Sequence, residues 1–270
     1  MEILNFIPQT AGERLFKAIA QEVVGAGDYL AVKKARFLQI GGRSSDFSEY
    51  LVGVKTLNLL GRLVKKSQRV LEIDDATLHH GEMVNYLQTH LELASEGNDL
   101  LDKLARMSID AAKNSGKPIS NNTKRIVRNG LNEIPCYLCG TICRQNTTID
   151  TERITYDHLW PASFGGDSIP ENLLPACSIC NNKKENMLLW HTGALFSFIL
   201  KPSPSEDEVK SIRRREKIAR QVQNILINAN QNNFSLKNSA IDLGPANFQS
   251  IQFDDVEDAV DYFNFSFQRD

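Results

Sequence analysis

Cys136-Tyr-Leu-Cys139-Gly140, then Tyr156-Asp157-His158-Leu-Trp-Pro161-Ala-Ser163-Phe-Gly165-Gly166, then Glu171-Asn172-Leu-Leu-Pro-Ala-Cys177-Ser-Ile-Cys180-Asn181-Asn182-Lys183-Lys184: these three pieces decide how the chain is read. The outer two carry Cys-x-x-Cys knuckles, and four thiolates make a complete tetrahedral set for a structural Zn²⁺ held by Cys136, Cys139, Cys177 and Cys180. Gly140 suits the tight turn that such a knuckle needs. The knuckles lie farther apart than in a zinc ribbon, so a folded insert must sit between them. All five cysteines fall between 136 and 180, which in a reducing compartment favours a metal over disulfides. Cys143 is the spare and reads as a free thiol.

The insert carries the chemistry. A neutral histidine takes a proton from water near pH 7, and a carboxylate one residue earlier on a strand points to the other face, where it can ligate a hard cation. His158 and Asp157 stand in that relation. Gly165-Gly166 would let the chain reverse, so that a second strand carrying Asn172 returns beside the first. The second knuckle then runs into a helix start, where Asn181 would bring an amide oxygen to the same cation. Lys184, about one turn on, could face a phosphate.

This combination resembles the HNH, or ββα-metal, endonuclease family in its form with a four-cysteine zinc staple, over residues 136 to about 190. The resemblance implies His158 as general base, Asp157 and Asn181 as ligands of a catalytic Mg²⁺ or Mn²⁺, and Asn172 as a brace for the loop and the histidine. Many members carry histidine where Asn181 stands; the HNH domains of RNA-guided CRISPR nucleases carry asparagine. Asn182 is the alternative ligand. The implied reaction is hydrolysis of phosphodiester bonds, with DNA favoured over RNA and products bearing 5′-phosphate and 3′-hydroxyl.

Outward from this centre the chain reads as mainly α. A helical domain (1–115), a basic linker or helix (116–130), the zinc-stapled ββα-metal unit (131–201) and a C-terminal helix with an acidic, aromatic tail (202–270) are expected. Thr10-Ala-Gly-Glu13 has capping-box spacing, and Leu15, Phe16, Ile19, Ala20 and Val23 follow at helical period until Gly25. Further helices are expected from near Asp28, after Asp46, from Asp74-Asp75, and from Asn98 or Asp99 to about Lys113. His79 and His80 point to different helix faces and read as two surface histidines; His90 reads likewise. His191, beyond the motif, reads as a partly buried structural histidine, and Trp190 with the apolar run to Leu200 as core.

A formal charge of −2 and a pI near 6.2 argue against coating nucleic acid by net charge, so any such contact must be local. Two basic runs flank the cysteine region. Lys113, Lys117, Lys124, Arg125 and Arg128 have no acidic residue among them, and Lys210, Arg213, Arg214, Arg215, Lys217 and Arg220 lie on a helix expected from about Ser205 to Ala229. No stretch reaches the apolar length of a membrane span and no secretory signal opens the chain, so the cytoplasm is the expected compartment. The competing reading is a zinc-bearing module that grips nucleic acid or serves as an adaptor without hydrolysis. Asp157 beside His158 counts against it, since a grip needs no base next to a hard-metal ligand. The helical domain could bind a protein partner or a second copy, and by analogy of architecture a restriction or anti-phage complex is a natural setting.

Overall fold

The computed structural model describes residues 5–24, 44–91, 93, 97–188 and 206–246. The helix near Asp28, Trp190, His191 and the apolar run to Leu200, and the tail with Asp254 to Asp261 lie outside them. Helix α1 (Ala11–Ala18) starts from the capping box read in the sequence. Thr10 Oγ1 accepts from Glu13 N at 3.1 Å, and Glu13 Oε2 accepts from Thr10 N at 2.6 Å. The chain continues as a π-helical stretch, Ile19–Val24, and buries Leu15, Phe16, Ile19 and Ala20.

Helices α2 (Ser44–Val70), α3 (Leu78–Thr89) and α4 (Asn98–Ser115) pack with α1 into the helical part of the molecule. Leu60, Leu63 and Val64 face inward at helical spacing. Helix α3 begins three residues after Asp75, because that carboxylate accepts from Thr77 N (2.9 Å) and Thr77 Oγ1 (2.6 Å) in a turn ahead of it. The expectation of two surface histidines needs correction at His79. Its Nε2 meets the Ile73 carbonyl at 2.8 Å and the residue is buried, whereas His80 pairs with Asp102 and His90 stacks on Tyr86.

After α4 the turn 116–120 leads into α5 (Asn121–Val127), capped by the Ser120 hydroxyl. A hairpin of β1 (Glu133–Pro135) and β2 (Ile142–Arg144) carries the first knuckle in its turn. The longer strands β3 (Ile154–His158) and β4 (Leu173–Cys177) are antiparallel, with His158 opposite Leu173 and Asp157 opposite Leu174. Helix α6 (Ser178–Lys184) follows β4 directly. The fold is therefore mainly helical with one ββα unit, closed by α7 (Glu206–Asn232) and α8 (Leu236–Leu243).

The ββα unit shares its core with the helices around it. Trp160 stacks on Phe6 at 6.3 Å and takes the edge of Phe16 at 5.1 Å between ring centroids. Gly12 N donates to Gly165 O at 2.9 Å, so close that a Cβ on Gly12 would lie 2.2 Å from the Phe164 carbonyl oxygen. From the other end of the chain, Asn230 Oδ1 accepts from Phe6 N and Lys237 Nζ donates to Pro170 O. The turn at 116–120 is thus a change of element within one continuous core.

Candidate active site

Both knuckles are built by local backbone bonds. In the first, Gly140 takes a left-handed φ of 74° and donates to Cys136 O at 2.8 Å, while Cys136 N donates to Thr141 O. In the second, Cys177 is the N-cap of α6, its sulfur accepting from Cys180 N at 3.4 Å. Tyr137 N donates to Pro175 O, which docks the hairpin turn against β4 and brings the knuckles together. The sulfurs of Cys136, Cys139, Cys177 and Cys180 all lie within 4.8 Å of one another, with Cys139 and Cys177 at 3.9 Å. A tetrahedron with metal–sulfur bonds of about 2.3 Å has sulfur–sulfur edges of about 3.8 Å, so the set could hold one metal ion such as zinc.

The electrostatics ask for that cation. Hydrogen bonds from Cys136, Cys177 and Cys180 hold the Cys139 thiol far below its ordinary range. Donation to Cys139 in turn pushes Cys136 up to about 11, and Cys177 and Cys180 are raised as well. Four thiolates this close together repel one another unless a cation sits among them. Cys143, buried nearby with its sulfur toward the Thr141 carbonyl, stands outside the set.

On β3 the alternation places Asp157 and His158 on opposite faces, as the sequence led us to expect. Asp157 is buried against α6, while His158 is partly exposed. The His158 Nε2 atom lies 3.1 Å from Ser168 Oγ, and Ser168 Oγ donates to the Lys117 carbonyl at 2.7 Å. A hydroxyl has one proton, so the serine can only accept from the ring. The proton is therefore on Nε2 and the lone pair on Nδ1. Burial lowers the His158 pKa from its ordinary value; the Asp157 charge opposes that shift and Lys184 reinforces it. The imidazole is accordingly neutral, with its basic nitrogen Nδ1, near pH 7.

With this geometry in view, a comparison with protein-family models matches residues 136–194 to the family described as HNH endonuclease. That segment is an HNH domain. Searches of curated proteins and of solved structures find no match.

Within the HNH domain, Asn172 closes the loop after β3. Its Oδ1 accepts from Trp160 N at 2.8 Å, and its Nδ2 donates to Trp160 O and Asp167 O at 2.9 and 3.0 Å. Leu159 N also donates to the Asn172 carbonyl. Asn181 lies on α6 one turn before Lys184 and so shares a helix face with it. Lys184 is placed differently from the sequence expectation. It points inward, fully buried, with Nζ donating to the His158 carbonyl at 2.7 Å and paired with Asp157 at 3.1 Å. A phosphate cannot reach an ammonium in that position. The reason is charge: burying Asp157 requires a counter-ion, and Lys184 is the cation that α6 brings.

Three contributors escaped sequence reasoning. Ser168 orients the His158 ring. Tyr137, inside the first knuckle, donates its hydroxyl to Asp157 Oδ2, and its own pKa is raised by burial and then by the Asp157 charge. Arg214, from the distant α7, sets a guanidinium nitrogen 3.2 Å from Cys180 Sγ, 3.8 Å from Cys139 Sγ and 3.9 Å from Cys177 Sγ. Tyr137 had a signal of sorts, an aromatic residue between two cysteines; Ser168 had none, and Arg214 stood in a basic run whose reading pointed to nucleic acid and not to the cysteines.

Proposed function

We propose that this protein is a metal-dependent endonuclease that hydrolyses phosphodiester bonds of DNA, with His158 as general base and a Zn²⁺ held by Cys136, Cys139, Cys177 and Cys180 as a structural staple. The observation that carries the reading is the His158–Ser168–Lys117 chain, which leaves a neutral imidazole with Nδ1 as its basic atom, one residue from a buried carboxylate. A module that merely grips phosphate has no use for a histidine held in one tautomer.

Asp157 and Asn181 would hold the catalytic Mg²⁺ or Mn²⁺, since oxygen ligands suit these hard ions, and the ion would have to displace Lys184 Nζ from the Asp157 carboxylate. When bound, that ion neutralises charge developing on the phosphate and on the departing 3′-oxygen. The chain's own residues do the rest. His158 Nδ1 accepts a proton from water that attacks phosphorus. Ser168 and Asn172 fix the ring and the loop that carries it, so the nitrogen need not be reoriented during the step. Lys184 balances Asp157 and holds the end of β3 through the His158 carbonyl.

The test is incubation of supercoiled plasmid with the purified chain and Mg²⁺ or Mn²⁺, followed by ligation of the products without prior kinase treatment. Nicks that T4-type ligation reseals directly carry 5′-phosphate and 3′-hydroxyl ends and support the reading. Absence of cleavage with either ion, or ends that need a kinase, would count against it.

A further inference from the structure

Two described members of the second basic run, Arg214 and Arg215, and the members of the first have different fates in the structure. On α7, Arg214 is turned into the cysteine cluster and Arg215 is paired with Glu185 at 2.9 Å. These charges are spent inside the molecule. On α4, the following turn and α5, Lys113, Lys117, Lys124, Arg125 and Arg128 form no ion pair with a carboxylate among the described residues. Their polar contacts are neutral ones. Lys117 Nζ donates to Asn114 Oδ1, Arg125 to Asn122 Oδ1, and Arg128 to Leu131 O.

This surface abuts the base from two sides. Lys124 Nζ sits 6.0 Å over the Tyr156 ring, and Arg128 is near enough for its charge to act on the Tyr156 phenol. Tyr156 and His158 leave β3 on the same face. From the other side, the Lys117 carbonyl receives the Ser168 hydroxyl that is bonded to His158. The cations therefore adjoin the candidate catalytic face, in a segment that lies outside residues 136–194.

We propose that the surface from Lys113 to Arg128 binds the sugar–phosphate backbone of double-stranded DNA and leads it to His158. In a chain of formal charge −2, phosphate neutralisation must come from such a local cluster. The occupant is a duplex because an unpaired strand is held by stacking its bases on bare aromatic rings, and the ring beside these cations, Tyr156, is covered by Lys124. The proposal rests on the nuclease reading of the HNH site and adds the path by which substrate reaches it.

The test uses the full chain without added divalent cation, titrated into a fluorescein-labelled DNA duplex of mixed sequence at KCl from about 50 to about 200 mM. The Lys124→Gln/Arg125→Gln/Arg128→Gln variant, checked for metal content and helicity, is expected to bind about tenfold more weakly, with the slope of log affinity against log salt reduced by about 2 to 3. Lys124→Gln/Arg125→Gln, which leaves Arg128 in place, is expected to lose about threefold, with a slope change of about 1 to 2. Lys65→Gln, an exposed lysine on α2, should bind as wild type does. Folded variants with wild-type affinity and slope overturn the proposal, and so does a wild-type chain that prefers the single strand of the same sequence. Plasmid cleavage is a separate readout: a chain that binds duplex through these residues but never cuts upholds the surface and sinks the nuclease reading, whereas a chain that cuts while its triple variant binds and cuts unchanged sinks the surface alone.

Discussion

Two buried polar clusters sit at opposite ends of the short helix α6, and they are balanced in different ways. At its start, Cys177 and Cys180 join Cys136 and Cys139 in a set of four sulfurs faced by one guanidinium, that of Arg214. At its end, Lys184 meets Asp157, one ammonium against one carboxylate, with Tyr137 and the His158 carbonyl completing the bonds. Four thiolates at the first cluster would outnumber its one guanidinium and so call for a metal cation; the second already pairs one charge of each sign. A metal at the cysteines would therefore be part of the fold, whereas a cation at Asp157 would be a guest that has to compete with an internal lysine.

The largest effect expected from this contrast is at the sulfurs. Cys180→Ser should lower the melting temperature of the whole chain by more than about 10 °C, because a structural zinc contributes on the order of 10 kcal/mol to domains that depend on it and the ββα unit shares its core with the helices. A variant that melts within about 5 °C of wild type would erase the distinction between the clusters. Next comes Lys184→Met, which strands a buried carboxylate and should cost about 3–5 kcal/mol in thermal or denaturant unfolding. If Asp157 is a cation site, Mn²⁺ should restore part of that loss in the variant and add little to wild type. A variant indifferent to Mn²⁺ would place the hard-ion site elsewhere.

Smaller effects sharpen the account. Arg214→Ala should speed zinc release to a chelator about tenfold without unfolding the chain, as expected for a group bonded to the metal's ligands. Unchanged release would make Arg214 a packing residue only. Ser168→Ala should lower kcat about threefold to tenfold with little change in KM, and Ser168→Thr should restore it. With His158 as the base, burial sets its pKa below the ordinary value. Cleavage should thus hold steady around neutral pH and fall as the pH drops through a value below the ordinary 6.5.

What the sequence revealed was what neighbours in the chain decide. The capping box at Thr10 and Glu13, the two knuckles, and the opposed faces of Asp157 and His158 all follow from spacings of a few residues, and the structure reproduces each of them. What it hid was set by distant partners. Ser168 and Lys117 are 51 positions apart, and Arg214 reaches a cysteine 75 positions earlier. His79 is the local exception, turned inward by a carbonyl at Ile73 only 6 positions earlier. Lys184 illustrates the same limit, since a lysine near the end of a short polar helix reads as exposed until the buried carboxylate that claims it is placed.

The most direct measurement is cleavage of supercoiled plasmid by wild type and His158→Ala, both shown to hold about one zinc per chain and each assayed with Mg²⁺, Mn²⁺ or chelator. The account predicts that wild type cuts with added metal and that the zinc-loaded variant is slower by about 10²–10⁴-fold. Equal rates for the two zinc-loaded proteins would contradict it, because the imidazole that Ser168 orients beside Asp157 would then have no part in the chemistry.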